Sequence, residues 1–259
     1  MNLRSITMVA SVAIASAGLL SLTSCAKEPC RTPGDGCACT QATGGGEAAL
    51  VMLTDGKSEA FLDAVNRLTV EHSEALEEIG LHRPPVVILA TYDGVGEVSE
   101  VAAFDLSGEG QTVSRKAANA EFAAACLVQA AESVPSDTPG GNLLRALPAA
   151  SDLAAARGQS EAAVVAFGLG RSALDDPTMD QDLPMDEIDL TTAGAQQHVV
   201  DVLHEIGLLP VSERVIVTFV DPDEGVVNVV VAGYINEFAK GPLCDGVGHG
   251  RCSAKEVLK

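Results

Sequence analysis

Tryptophan is absent from this chain, and two tyrosines and six phenylalanines make up its aromatic content. A core assembled around large rings is excluded. Ala, Val and Leu have to fill it, as suits a sheet layered with helices. Positive charge is scarce too: 16 Lys and Arg stand against 36 Asp and Glu, a net charge of −20 at pH 7. Such a surface repels phosphate backbones and anionic headgroups, which excludes nucleic acid as a partner. It leaves room for cations or basic proteins, or for a solvated acidic surface with no partner. Motifs of common catalysts are missing as well. There is no Gly-x-Ser-x-Gly elbow and no Walker phosphate loop. Gly168-Leu169-Gly170 lacks the third glycine of a dinucleotide loop, and Gly94-Val95-Gly96 precedes a strand, the wrong context. His198 and His204 stand six residues apart, so a helix does not bring them to one face. No period of roughly 20–50 residues repeats, which excludes a solenoid.

What is present begins with a targeting segment at residues 1–24. One cation, Arg4, precedes an apolar run from Ile6 to Leu22 that is interrupted by Ser and Thr. The run falls short of the roughly 20 apolar residues of a membrane span. It ends in Leu22-Thr23-Ser24-Cys25. This resembles the lipobox of bacterial lipoproteins: an aliphatic residue, two small residues, then the Cys that becomes the new N-terminus. The resemblance implies diacylglycerol on the Cys25 thiol and cleavage after Ser24, with or without an acyl chain such as palmitate on the new amine. It places the mature chain on the extracytoplasmic face of the cell membrane through a lipid anchor, and two or more chains anchor stably. Residues 25–46, with Pro29, Pro33 and several glycines, read as a tether.

Seven cysteines fit export into an oxidising compartment. With Cys25 lipidated, Cys30, Cys37 and Cys39 in the tether and Cys244 and Cys252 in the tail are the disulfide candidates. Cys244–Cys252 closes the easiest local loop, around Gly246-Val247-Gly248-His249-Gly250. Cys126 stands apart inside a predicted helix. If it is a buried free thiol, one of the other five is unpaired or bonds another chain. A zinc site competes, but Cys37-Ala38-Cys39 lacks the two-residue spacer of a zinc knuckle.

Residues 47–240 alternate strands with amphipathic helices. Ala48 to Leu53 is an apolar strand. Ser58 can cap a helix reaching Ile79, with Phe61, Val65, Leu68, His72, Leu76 and Ile79 on its buried stripe. His72 there reads as a core histidine with a backbone partner. Val86 to Thr91 and Val98 to Leu106 form a hairpin about Asp93-Gly94. Helices follow at Arg115 to Val134, with Phe122, Cys126, Leu127 and Ala130 inward, and at Asn142 to Arg157, where Pro148 starts a new turn or a kink. Glu161 to Phe167 is a strand. Seven acids lie between Asp175 and Asp189; their spacing matches no EF-hand, and a solvated loop is the expectation. Thr191 or Thr192 caps a helix with Val199, Leu203 and Ile206 inward. Val215 to Val220 and Val226 to Ala232 are strands about the turn at 221–225, and residues 241–259 form a Cys-containing tail. The fold class is α/β: a Rossmann-like three-layer sheet with helices on both faces, mixed because of its antiparallel hairpin.

This order of elements resembles the von Willebrand factor A fold. Gly140-Gly141-Asn142-Leu143-Leu144-Arg145-Ala146-Leu147 is similar to that family's Gly-Gly-Thr-Asn-Leu-x-x-Ala-Leu loop. Ala162 to Gly170 is similar to the strand that follows it. Residues 140–175 resemble, more narrowly, the A-like domain of actinobacterial envelope lipoproteins. The family's metal site takes Asp-x-Ser-x-Ser after the first strand, a Thr in the Gly-Gly loop and an Asp after the fourth strand. Here Asp55-Gly56-Lys57-Ser58-Glu59 puts the serine out of register, Asn142 stands near the Thr, and Gly168 replaces the Asp. Lys57 sets a cation where a metal belongs. No cofactor and no intact metal site are expected.

In open α/β sheets ligands meet the loops at the carboxyl ends of the strands. That rim holds Asp55, Lys57, Ser58, Asn142, Gly168 and Arg171, the expected contacts for another envelope protein or a small polar ligand, without catalysis. Changing Lys57 and Arg171 to Glu is expected to abolish capture. Two readings stand beside this one: an unrecognised hydrolase or transferase on the same rim, and a structural spacer in which no rim substitution matters.

Overall fold

Strand β1 (Ala48–Thr54) is buried along its whole length. A strand apolar on both sides requires cover on both faces and neighbours on both edges, and the rest of the fold supplies them. After it come α1 (Glu59–Val70), α2 (His72–Ile79), β2 (Pro85–Tyr92), β3 (Val98–Asp105), α3 (Val113–Glu132), α4 (Leu143–Arg157) and β4 (Glu161–Phe167). The short β5 (Leu174–Asp175) and β6 (Asp182–Leu183), then α5 (Ala193–Glu205) and β7 (Val215–Val220), complete the order. The computed structural model describes residues 33, 37–42, 47–108, 110–136, 143–158, 160–167, 174–175, 182–183, 192–205 and 215–220. The expected strand Val226 to Ala232 and the tail lie outside the described residues.

The main sheet has the order β3-β2-β1-β4-β7. β1 pairs parallel with β2 and β4, and β4 pairs parallel with β7. β3 returns antiparallel to β2, with an irregularity at Leu89/Ala90. This is the expected three-layer, Rossmann-like architecture with a mixed sheet. Alternate residues of the central strands face opposite ways. Leu50, Met52, Val87, Leu89, Ala163, Val165 and Phe167 share one core with Phe61, Leu68, Leu76, Cys126 and Leu127 of the helices. Phe61 meets Phe167 edge to face, with ring centroids 5.3 Å apart. α4 lies against β1 and β4, burying Leu143, Ala146, Leu147, Ala150 and Ala154. Pro148 sits inside it without ending it.

Two sequence expectations are corrected here. The stripe from Phe61 to Ile79 belongs to two helices rather than one, because Glu71 leaves helical geometry at φ −108°, ψ 41°. Arg67 joins them: its guanidinium donates to Glu71 at 2.9 Å and to Glu78 at 3.0 Å. His72 is half-buried, its ring Nδ1 lying 3.3 Å from the Leu68 carbonyl. The second correction concerns Cys126. It is 2% exposed but is no free thiol: it forms a disulfide with Cys39, 87 residues away. The pairing follows from the path of residues 37–42, which run onto the domain. The Ala42 amide donates to the Ala103 carbonyl of edge strand β3 at 2.8 Å, which brings Cys39 over α3. Cys37 is disulfide-bonded as well.

Candidate functional site

Because β1, β2, β4 and β7 are parallel, their carboxyl ends meet at one pole, joined there by the β2–β3 turn. At this pole β1 runs into Asp55-Gly56-Lys57-Ser58. Thr54 is buried, and its hydroxyl donates to the Gly56 carbonyl and accepts from the Gly56 amide at 3.2 Å. Ser58 Oγ accepts from the Phe61 amide at 3.1 Å, so Ser58 is the N-cap of α1. The half-buried Lys57 does two things. Its backbone amide donates to the Pro135 carbonyl at 2.8 Å, and its Nζ donates to the Glu132 carbonyl at 3.0 Å. Glu132 ends α3, where a cation meets unsatisfied carbonyls and the negative end of the helix dipole. The charge expected at the metal position is therefore spent on the end of α3. A change to Glu at Lys57 strikes the fold as well as the rim.

A second tie crosses the top of β1. Tyr92, the last residue of β2, donates its hydroxyl to the Phe167 carbonyl of β4 at 3.0 Å. β2 and β4 flank β1, so this bond spans the central strand just beyond Thr54. The ring is 1% exposed. Burial pushes the phenol well above the usual tyrosine range, and the negative charge of Asp55 raises it further. Tyr92 thus stays protonated and keeps donating. The hairpin beside it is ordered by Asp93, whose carboxylate accepts from the amides of Val95 at 3.0 Å and Glu97 at 2.9 Å. Gly96 takes a positive φ of 79° there. Val95 is left 65% exposed at the tip.

In the β1 loop, where the von Willebrand factor A resemblance implies a magnesium site, two hydroxyls are already committed. Such a site needs several uncommitted hard oxygens in near-octahedral array. Ser58 is committed to the helix cap and Thr54 to its own turn. Among the described residues no group of three or more His, Cys, Asp or Glu is placed to hold a metal ion.

Of the sequence-predicted rim, Asp55, Lys57 and Ser58 are brought together. Asn142, Gly168 and Arg171 lie outside the described residues, as do Cys25, Cys30, Cys244 and Cys252. Within the acidic stretch, Asp175 pairs with Asp182 across β5 and β6. Thr192 is the cap that α5 uses, accepting from the Ala195 amide at 3.4 Å, and Val202 is buried on that helix. Sequence reasoning missed Tyr92 and the Glu132–Pro135 end of α3. The signal for the first was present: a polar-tipped ring closing an otherwise aliphatic strand.

No family model matches the chain, and no curated protein matches it. Solved structures similar to it include the following two. A von Willebrand factor type A protein from Catenulispora acidiphila is 10% identical with a TM-score of 0.29, over 74% of this chain and 37% of that one. The human COPII-coat protein Sec24c is 12% identical with a TM-score of 0.30, over 73% of this chain and 28% of that one. The chain thus spans well under half the length of either.

Proposed function

We propose that this chain is a membrane-anchored bacterial lipoprotein whose α/β domain binds another envelope protein or a small polar ligand at the strand-end rim, without catalysis. The observation that supports the binding reading is the set of hydrogen bonds that tie the described part of that rim. Three ties, Thr54 with Gly56, Lys57 with Glu132 and Pro135, and Tyr92 with Phe167, fix the loops around the end of β1. A surface fixed before contact loses little entropy on binding. The anchor rests on Leu22-Thr23-Ser24-Cys25.

The test places a photo-cross-linking amino acid at Val95, exposed on the rim, and separately at His82, exposed at the opposite pole. On intact cells, Val95 is expected to yield a discrete adduct and His82 none. An adduct from His82 alone moves the binding surface to the other pole. No adduct from either leaves the spacer reading in place of this one.

A further inference from the structure

Strand β3 ends the main sheet and pairs with β2. An edge strand offers its outward amides and carbonyls to any other strand, including the same edge of a second copy. The antiparallel ladder fixes which groups face out. Leu106 donates to the Pro85 carbonyl at 3.1 Å, Val86 lies opposite Asp105 and Ile88 opposite Ala103. Hydrogen-bonded and open pairs alternate, so Asp105 and Ala103 turn their backbone groups outward. Further along, Ala102 faces Leu89 and Glu100 faces Ala90, which leaves Val101 as an extra residue that bends the strand. Residues 37–42 run across this edge. The Ala42 amide donates to the Ala103 carbonyl at 2.8 Å, and Ala103 is fully buried although it lies on the edge strand. Cys39 packs against the core and is bonded to Cys126 of α3. From α4, Arg157 donates to the Ala42 carbonyl at 3.3 Å and to the Glu100 carboxylate at 2.9 and 3.1 Å. Glu100 is the charge on β3 that would hold another strand off. Arg157 neutralises it, so the cover of this edge falls to residues 37–42.

We infer that residues 37–42 are an edge guard, which keeps the β3 edge of one copy of this chain from pairing with the β3 edge of another. Two identical edges can meet antiparallel about a twofold axis, each supplying its outward groups to the other. The Ala42 contact occupies that position within the chain. The Cys39–Cys126 bond acts here as a permanent staple, and the guard needs no reduction. Cys37 is disulfide-bonded as well, so it counts as a further hold on the same segment.

The experiment uses the full chain in detergent and compares three forms. The first is wild type. The second, Cys37→Ser/Cys39→Ser/Ala42→Pro/Cys126→Ala, frees the segment at each of these holds. The third adds Ser99→Lys, which sets a cation at an exposed position of β3. Free thiols are alkylated, so that no disulfide joins two chains. Sedimentation gives the mass, and hydrogen exchange is read over residues 98–105 and over β1 and β4. Wild type is expected to be a monomer. The freed form is expected to sediment as a dimer or larger where wild type does not, with protection of 98–105 that rises with concentration. Ser99→Lys should return it to a monomer. A freed form that stays monomeric overturns the guard, and so does a wild type that already pairs through 98–105. Association that Ser99→Lys leaves unchanged places the contact elsewhere and overturns it too. If β1 and β4 lose protection, the freed form has unfolded, and the comparison passes to Ala42→Pro alone, which keeps every cysteine and removes the bond to Ala103. Association of that variant, reversed by Ser99→Lys, sustains the guard; a monomer overturns it.

Discussion

Tyr92→Phe deletes one oxygen and leaves every apolar contact of the ring in place. The lost bond is the 3.0 Å donation to the Phe167 carbonyl, made by a residue only 1% exposed. A hydrogen bond of this kind contributes about 1 kcal/mol net, and leaving a buried carbonyl unsatisfied costs about 1–3 kcal/mol. We expect a loss near 2 kcal/mol, which lowers the melting midpoint by about 4–8 °C for a domain of this size. Chemical denaturation at neutral pH gives the loss directly. The variant should also change the alkaline limb of stability. Burial first, and then the Asp55 charge, raise the Tyr92 phenol in the folded state. The folded protein keeps its proton where the unfolded chain, titrating near pH 10, has released it. Above that pH the unfolded state binds fewer protons. Tyr92's share of stability is fully present below about pH 10 and is lost above it, at about 1.4 kcal/mol per pH unit. Tyr92→Phe should lack that share, so the difference between wild type and variant shrinks as pH rises past 10. Equal stability at neutral pH, or parallel alkaline limbs, would refute the tie across β1.

Ser58→Ala removes the N-cap of α1 and should cost about 1 kcal/mol by urea denaturation. Lys57→Met keeps much of the side-chain bulk but frees the end of α3; a loss of about 0.5–1.5 kcal/mol that shrinks at high salt would mark the charge as its source. Gly108 sits at φ +68°, where an added Cβ would lie 2.1 Å from the Lys116 carbonyl oxygen; Gly108→Ala should cost more than about 2 kcal/mol and lower the yield of folded protein. Mg²⁺, Mn²⁺ or Ca²⁺ against EDTA should leave the melting midpoint unchanged, because the Thr54 and Ser58 hydroxyls are already committed; a saturable rise would restore a cation site to the rim.

The strands were legible because their signal is local. Ala48–Thr54, Glu161–Phe167 and Val215–Val220 are predominantly apolar runs of strand length, and burial on both faces needs little more. The break between α1 and α2 was not. Hydrophobic periodicity reports which side chains face inward, and the stripe from Phe61 to Ile79 continues across Glu71 while the backbone does not. The Cys39–Cys126 bond was hidden for another reason: its partners are 87 residues apart, and the glycines and prolines near Cys39 mimic a free linker. At the rim, the loop after β1 was found from topology. The carbonyls of Glu132 and Pro135 that take its Lys57 donors, and the Phe167 carbonyl that takes Tyr92, belong to elements whose meeting no local pattern announces.

Export and lipidation underlie both the binding proposal and the tether. Their most direct test is the intact mass of the protein extracted by detergent from the membranes of expressing bacteria. The expected species begins at Cys25 and carries the added mass of a diacylglycerol, with or without a further acyl chain, while Cys25→Ala abolishes that species. A wild-type chain recovered with residues 1–24 still attached, or cleaved and free of lipid, would contradict the anchor and the envelope function built on it.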